Sequence, residues 1–224
     1  MPSRIEPLIT DCIYHVFNKT IDKKEILGED FGDLMLKISS YYKSSKAKVS
    51  YSRLKEIDPI IRDQIFKRVY SRKFFRIEIF SYCLMSTHFH FLLKQKKDNG
   101  IAKFISDTLN AFTRTVNLIT ERKGPLFLTQ FKAVRIKNEE QLIHVSRYIH
   151  LNPYSSGLVN NFDDLISYKW SSLKNYLLGE KSNLVDINYL LSIFNNDRKR
   201  YKKFIFDNAD YQRNLDWIKH VENF

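Results

Sequence analysis

The chain has 224 residues, with 37 Lys+Arg against 25 Asp+Glu and a formal net charge of +12. That length suffices for a large domain that folds without disulfides or metal, and the charge favours polyanionic partners through long-range attraction and counterion release. Two cysteines, Cys12 and Cys83, make no disulfide framework and fit a reducing cytoplasm; Met1-Pro2-Ser3-Arg4-Ile5-Glu6-Pro7 lacks a signal-type apolar segment, and no apolar run approaches the ~18 residues of a membrane span.

Taken in order, Asp11 to Asn18 reads as a strand, with Ile13, His15 and Phe17 on one face and Tyr14 and Val16 on the other. Phe31 to Tyr42 predicts a helix whose buried stripe is Phe31, Leu34, Met35, Ile38 and Tyr42; Gly32 weakens only its first turn. Lys43 to Arg53 is polar and basic, as expected of a loop. Asp58-Pro59 is a helix start, since Asp caps and Pro is tolerated at the first helical position, and a helix over 60–70 follows. Phe74 to Met85 and His88 to Lys94 predict two strands joined as a hairpin at Ser86-Thr87, although that turn lacks Gly or Asn.

Gly100 to Ile119 predicts a long helix with Ile101, Phe104, Ile105, Leu109 and Phe112 on its inner side. Gly124-Pro125 breaks the chain, and Phe131 to Ile136 reads as another strand. Asn138-Glu139-Glu140-Gln141 has the pattern of a capping box. The helix it opens is expected to end near Asn152, because Pro153 disfavours helical geometry at the residue before it. The resulting order is an α+β, ferredoxin-like or RRM-like split βαββαβ with an antiparallel sheet and one further helix after the last strand. One face of such a sheet is expected to be covered by helices and the other open. The expected division is a domain over 1–158, with an insertion at about 43–73, and a helical C-terminal extension over 159–224 anchored by Trp170, Leu173, Tyr176 and Leu177.

His88 and His90 are two positions apart and so share a strand face, while Phe89, Phe91 and Leu93 point into the core. Neutral imidazoles bind divalent metals, and two from one strand can share an ion. The plainer reading is a pair of histidines on a polar sheet face. Tyr148 and Asn152 share a helix face four positions apart. Asn152 can supply a third ligand oxygen beside the Tyr148 hydroxyl, or simply cap the helix end while Tyr148 packs on the sheet. Together these groups compose one mechanism. A phenol has a pKa of about 10 and is a poor nucleophile unless the phosphate it attacks is neutralised and oriented by a metal and cations. Arg147, Lys132 and Arg135 fall near the site in this layout. His144, one turn before Tyr148, and His15, on the first strand, are further candidates as ligand or proton acceptor. Arg198-Lys199-Arg200-Tyr201-Lys202-Lys203-Phe204 fits a solvated helix face, with DNA contact as the alternative.

Four stretches resemble the single-tyrosine HUH transposases, in particular the REP-associated tyrosine transposases. They are Tyr14-His15-Val16-Phe17-Asn18-Lys19; Cys83-Leu84-Met85-Ser86-Thr87-His88-Phe89-His90-Phe91-Leu92-Leu93; Gly124-Pro125-Leu126-Phe127 with Gln130-Phe131-Lys132; and Arg147-Tyr148-Ile149-His150-Leu151-Asn152-Pro153. Trp170-Ser171-Ser172 is similar to the region that follows the tyrosine helix. The resemblance implies Tyr148 as nucleophile, and His88, His90 and Asn152 as ligands of Mg²⁺ or Mn²⁺. It also implies single-stranded DNA, often folded as a hairpin, as substrate, a cytoplasmic setting, and a monomer or homodimer. Lys19 stands where the family usually has Arg and keeps the charge for DNA. Ser86-Thr87 replaces a usual Pro-Asn, and residues 43–73 are longer than the family norm.

The expectation is therefore a DNA strand-transfer enzyme. The competing expectation is a basic module that binds RNA or single-stranded DNA without cutting it. Such modules stack bases on aromatic side chains of the open sheet face, where this chain carries histidines. A metal-dependent hydrolase of a small substrate is disfavoured by the charge and by the lack of an obvious Asp or Glu ligand or base.

Overall fold

The structure, a computed structural model, describes residues 7–213; residues 1–6 and the end of the expected extension, 214–224, lie outside the described part. Four strands, β1 (Ile13–Lys19), β2 (Ile77–Met85), β3 (His88–Gln95) and β4 (Lys132–Arg135), form one sheet in the order β2-β3-β1-β4. All three pairings are antiparallel. This is the expected ferredoxin-like arrangement, with α1 (Gly32–Tyr42) and α3 (Gly100–Ile119) as its crossover helices and α2 (Pro59–Val69) inserted between α1 and β2.

Alternation along β1 and β3 sorts the sheet into two faces. Tyr14, Val16, Phe89, Phe91 and Leu93 are buried on the face toward α1 and α3, where they meet Met35, Ile38, Phe104 and Phe112. Each such side chain contributes about 1.5–3 kcal/mol on full burial. In β2 the register slips between Ile79 and Ser81, leaving Phe80 as a bulge. The bulge changes the strand's parity, so Ile77 and Ile79 before it share the core face with Tyr82 and Leu84 after it. The Ser86-Thr87 turn needs no glycine, because neither residue has positive φ. Its carbonyls are held from outside: Ser86 O accepts from Ile26 N and Leu27 N at 2.9 and 3.0 Å, and Thr87 O accepts from Thr20 N at 2.8 Å.

The helix starts form as the sequence requires. Asp58 Oδ1 accepts from Ile60 N and Ile61 N at 2.8 and 3.3 Å, ahead of Pro59. Asn138 Oδ1 accepts from Gln141 N at 2.8 Å, and Gln141 Oε1 reaches back to Lys137 N at 2.7 Å, one residue earlier than in a standard capping box. The helix so opened, α4, runs Glu139–Ser155 with Pro153 inside it. The expected end at Asn152 is therefore corrected by about one turn. Tertiary contacts carry the helix past the proline: Tyr154, placed beyond the helix by the local rule, is buried and donates to Asp210 Oδ1 at 2.8 Å.

The expectation of an open second sheet face also needs correction. On that face α4 lies across β2 and β3 and reaches β1 through Tyr148, which meets His15, so the uncovered half is the one that carries Lys19, Lys132 and Val134. The chain after α4 folds into α5 (Phe162–Ser167), α6 (Leu173–Leu178), α7 (Asn188–Ile193) and α8 (Arg198–Phe206). It also covers the outer edge of β2, through Trp170 O to Leu84 N at 2.9 Å, Tyr82 O to Ser172 N at 3.0 Å and Ile79 O to Asp186 N at 2.8 Å. Gly32 is required where this segment crosses α1, since a Cβ there would come within 2.4 Å of the Trp170 indole nitrogen. The indole N–H donates to Asp33 Oδ1 at 3.1 Å.

Candidate catalytic site

The register of β1 on β3 sets Phe17 opposite His90 and Lys19 opposite His88. Directly opposed residues share a face, so His15, Phe17, Lys19, His88 and His90 all project to the side that α4 partly covers. The His88 and His90 rings lie 5.1 Å apart between centroids and nearly perpendicular at 85°. His88 Nδ1 is paired with the Thr87 hydroxyl at 3.1 Å. His90 Nδ1 is paired with His15 Nε2 at 2.9 Å, and the two rings stack at 24°. His90 Nε2 is buried and has no hydrogen-bond partner.

Burial holds all three rings neutral. His15 is lowered to about 4 by burial alone. His88 is lowered to about 4 by burial and then by the Lys19 charge. His90 is pushed well below the ordinary value by burial, then by His15, His88 and Lys19. A neutral ring keeps the lone pair a metal requires, and an orphaned buried imidazole nitrogen costs stability unless something fills its coordination. His88 and His90 thus fit a divalent cation. No three His, Cys, Asp or Glu side chains converge as a metal cage among the described residues, so oxygen donors of other kinds would complete the ion's coordination.

Helix α4 places Tyr148 over His90 and His15. Its ring stands edge-on to His90 at 5.6 Å and 90°, and to His15 at 5.9 Å and 71°. One turn on, buried Asn152 donates its amide nitrogen to Tyr148 O at 2.9 Å. The amide oxygen is then the group able to take a cation. Gln212 Nε2 reaches the same Tyr148 carbonyl at 3.3 Å and Ser155 Oγ at 3.1 Å, so the helix turn bearing the tyrosine is braced from the tail.

The expected cations separate on inspection. Lys19 flanks the histidines, and Lys132, opposite Phe17, is exposed on the same face. Arg135 pairs with Tyr14 and therefore projects to the opposite face; the layout that put it beside the site is corrected. Arg147 turns away from the sheet onto α8, where its guanidinium lies 4.5 Å over the Phe204 ring and donates to Phe204 O at 3.3 Å. His144 follows it, with Nδ1 accepting from Arg147 at 2.7 Å and its ring 5.7 Å from Phe204. In the 198–204 run, Tyr201 is fully buried while Lys199, Arg200, Lys202 and Lys203 are exposed.

Sequence reasoning passed over His150. It is fully buried two residues past Tyr148. Its Nε2 pairs with Ser172 Oγ at 2.7 Å and its Nδ1 with the Tyr201 hydroxyl at 2.9 Å. Tyr201 also meets Ser146 Oγ at 2.7 Å, and Ser172 Oγ accepts from Tyr82 N at 2.9 Å. This network ties α4 to α8 and to the edge of β2. Its only sequence signal is a histidine in phase with Leu142, Ser146 and Ile149 on the buried side of the helix.

No protein-family model and no curated protein matches the chain. Among solved structures, it is similar to a REP-associated tyrosine transposase bound to a REP hairpin, with a TM-score of 0.54 and 14% identity. The match covers 84% of this chain and 94% of that one. At that identity the likeness establishes a common α+β fold.

Proposed function

We propose that this protein is a DNA strand-transfer enzyme in which Tyr148 attacks a phosphodiester of single-stranded DNA. The observation that carries the reading is Tyr148 standing edge-on over His90, whose buried Nε2 lacks a partner. The transposase fold and the net charge of +12 support it. So does the hairpin DNA in the similar structure, which suggests a hairpin-forming substrate.

His88, His90 and Asn152 would hold a divalent cation, Mg²⁺ or Mn²⁺. When bound, such an ion neutralises and orients the scissile phosphate. Lys19 and Lys132 hold the strand along the uncovered half of the sheet, where bridging phosphates displace counterions. The Tyr148 oxygen bonds to phosphorus and the bond from phosphorus to the 3′ oxygen breaks. The phenolic proton passes to solvent, and the departing 3′ oxygen takes up a proton. The product is a 5′-phosphotyrosine and a free 3′ hydroxyl, and attack by a 3′ hydroxyl on that linkage reverses the step and joins strands. Helix α4 is braced by Asn152, Gln212 and the His150 network, which fixes the tyrosine relative to the sheet.

Tyr148→Phe removes one oxygen and keeps the ring. It is expected to bind hairpin and single-stranded oligonucleotides as the parent does and to lose cleavage by on the order of 10⁴-fold or more. Denaturing gels with Mn²⁺ check this. Parent protein that binds oligonucleotides from its own gene's flanks without cutting them would favour a non-catalytic binding module instead.

A further inference from the structure

We infer that His15 is a positioning residue that locks the His90 ring in the tautomer whose Nε2 is unprotonated and can take a divalent cation. The inference rests on the reading of His88 and His90 as metal ligands. A neutral imidazole carries one N–H, so in the 2.9 Å contact between His90 Nδ1 and His15 Nε2 one ring must donate to the other. If His15 donated, the N–H of His90 would sit on Nε2, buried without an acceptor. Orphaned buried donors are rarer in proteins than under-used acceptors. The cheaper arrangement has His90 Nδ1–H donating to His15 Nε2, which leaves a bare lone pair on His90 Nε2.

Metal-binding histidines generally donate their second N–H to a carboxylate, carbonyl or water, and loss of that partner costs about 10- to 100-fold in metal affinity. Here the partner is a second imidazole on the neighbouring strand. It is held in place by its stack on His90 at 5.1 Å, by Phe17 at 5.0 Å and by the edge of Tyr148 at 5.9 Å. His15 thus acts through His90. The same contact explains why a strand-one histidine belongs to a site built on strand three.

The test combines ring-nitrogen NMR of the metal-free full-length protein with Mn²⁺ titration of the parent, His15→Phe, His15→Gln and His88→Ala. The parent is expected to show His90 with a protonated Nδ1 and a bare Nε2. His15→Phe removes the acceptor, so a population protonated at Nε2 should appear and Mn²⁺ affinity should fall about 10- to 100-fold. His15→Gln, whose side-chain oxygen can accept the Nδ1–H, should restore both. A protonated Nε2 in the parent would overturn the inference, as would parent-like tautomer and Mn²⁺ affinity in His15→Phe. A bare Nε2 that His15→Phe disturbs, with no Mn²⁺ uptake that His88→Ala abolishes, would leave the lock standing and overturn the metal reading instead.

Discussion

Two buried histidines sit on either side of the Tyr148 turn, His90 on the sheet and His150 on the helix, and their surroundings differ in one respect. Both nitrogens of His150 are hydrogen-bonded, to Ser172 and Tyr201. Only one nitrogen of His90 is, to His15, and the other is buried without a partner. Burial and depressed basicity are common to both, so neither property separates a structural imidazole from a ligand. Satisfaction does: a closed network stabilises the fold, whereas an open valence costs stability and is retained for what it binds.

The comparison breaks most visibly at His90→Leu. Metal-dependent cleavage should fall by on the order of 10²–10³, while urea unfolding of the metal-free protein should change by less than about 1 kcal/mol in either direction, because removal of an unsatisfied buried nitrogen offsets the loss of the hydrogen bond to His15. A large loss of stability would mean that His90 is a structural residue like His150.

His150→Leu should behave in the opposite way. It takes one partner each from the Ser172 and Tyr201 hydroxyls, which keep Tyr82 and Ser146, at about 0.5–1.5 kcal/mol for each buried hydrogen bond lost. Unfolding should therefore shift by about 1–3 kcal/mol. Mn²⁺ affinity, measured where the variant is folded, should stay within about threefold of the parent, since none of the proposed ligands is touched.

A smaller effect sharpens the contrast through pH. Unfolded histidines take up a proton below about 6.5. In the folded protein His15 and His88 stay neutral down to about 4, and His150 to about 3, all through burial. The unfolded state thus binds more protons, and stability rises with pH in this window. The contribution is whole above pH 6.5 and is lost as pH falls through the folded values. Between pH 6 and 4, His150→Leu should flatten the slope by up to about 1.4 kcal/mol per pH unit. Denaturation midpoints across that range check this, and an unchanged slope would contradict the assignment of a neutral His150.

How much of this was legible in the sequence depends on how local each cause is. The His88/His90 face was legible because β3 alternates against a buried side, as does β1. The parity of β2 was not, because an almost wholly apolar strand hides its bulge at Phe80. Arg135 lies three positions after Lys132, an odd spacing that by itself puts the two on opposite faces of a strand. The Pro153 rule failed because it is a local preference, and the contact of Tyr154 with Asp210 outweighs it. The turning of Arg147 and His144 onto Phe204 depends on where α8 docks, which no local pattern in α4 encodes. The uncovered half of the sheet was likewise a matter of where α4 comes to rest.

The most direct test of the central claim is mass spectrometry of the denaturation-resistant adduct formed with a hairpin oligonucleotide and Mn²⁺. The account predicts a nucleotide joined through its 5′ phosphate to Tyr148, with a free 3′ hydroxyl on the released strand. A nucleotide on Tyr154 or another residue would contradict the site, and a cut strand bearing a free 5′ phosphate with no adduct at any time would contradict the mechanism.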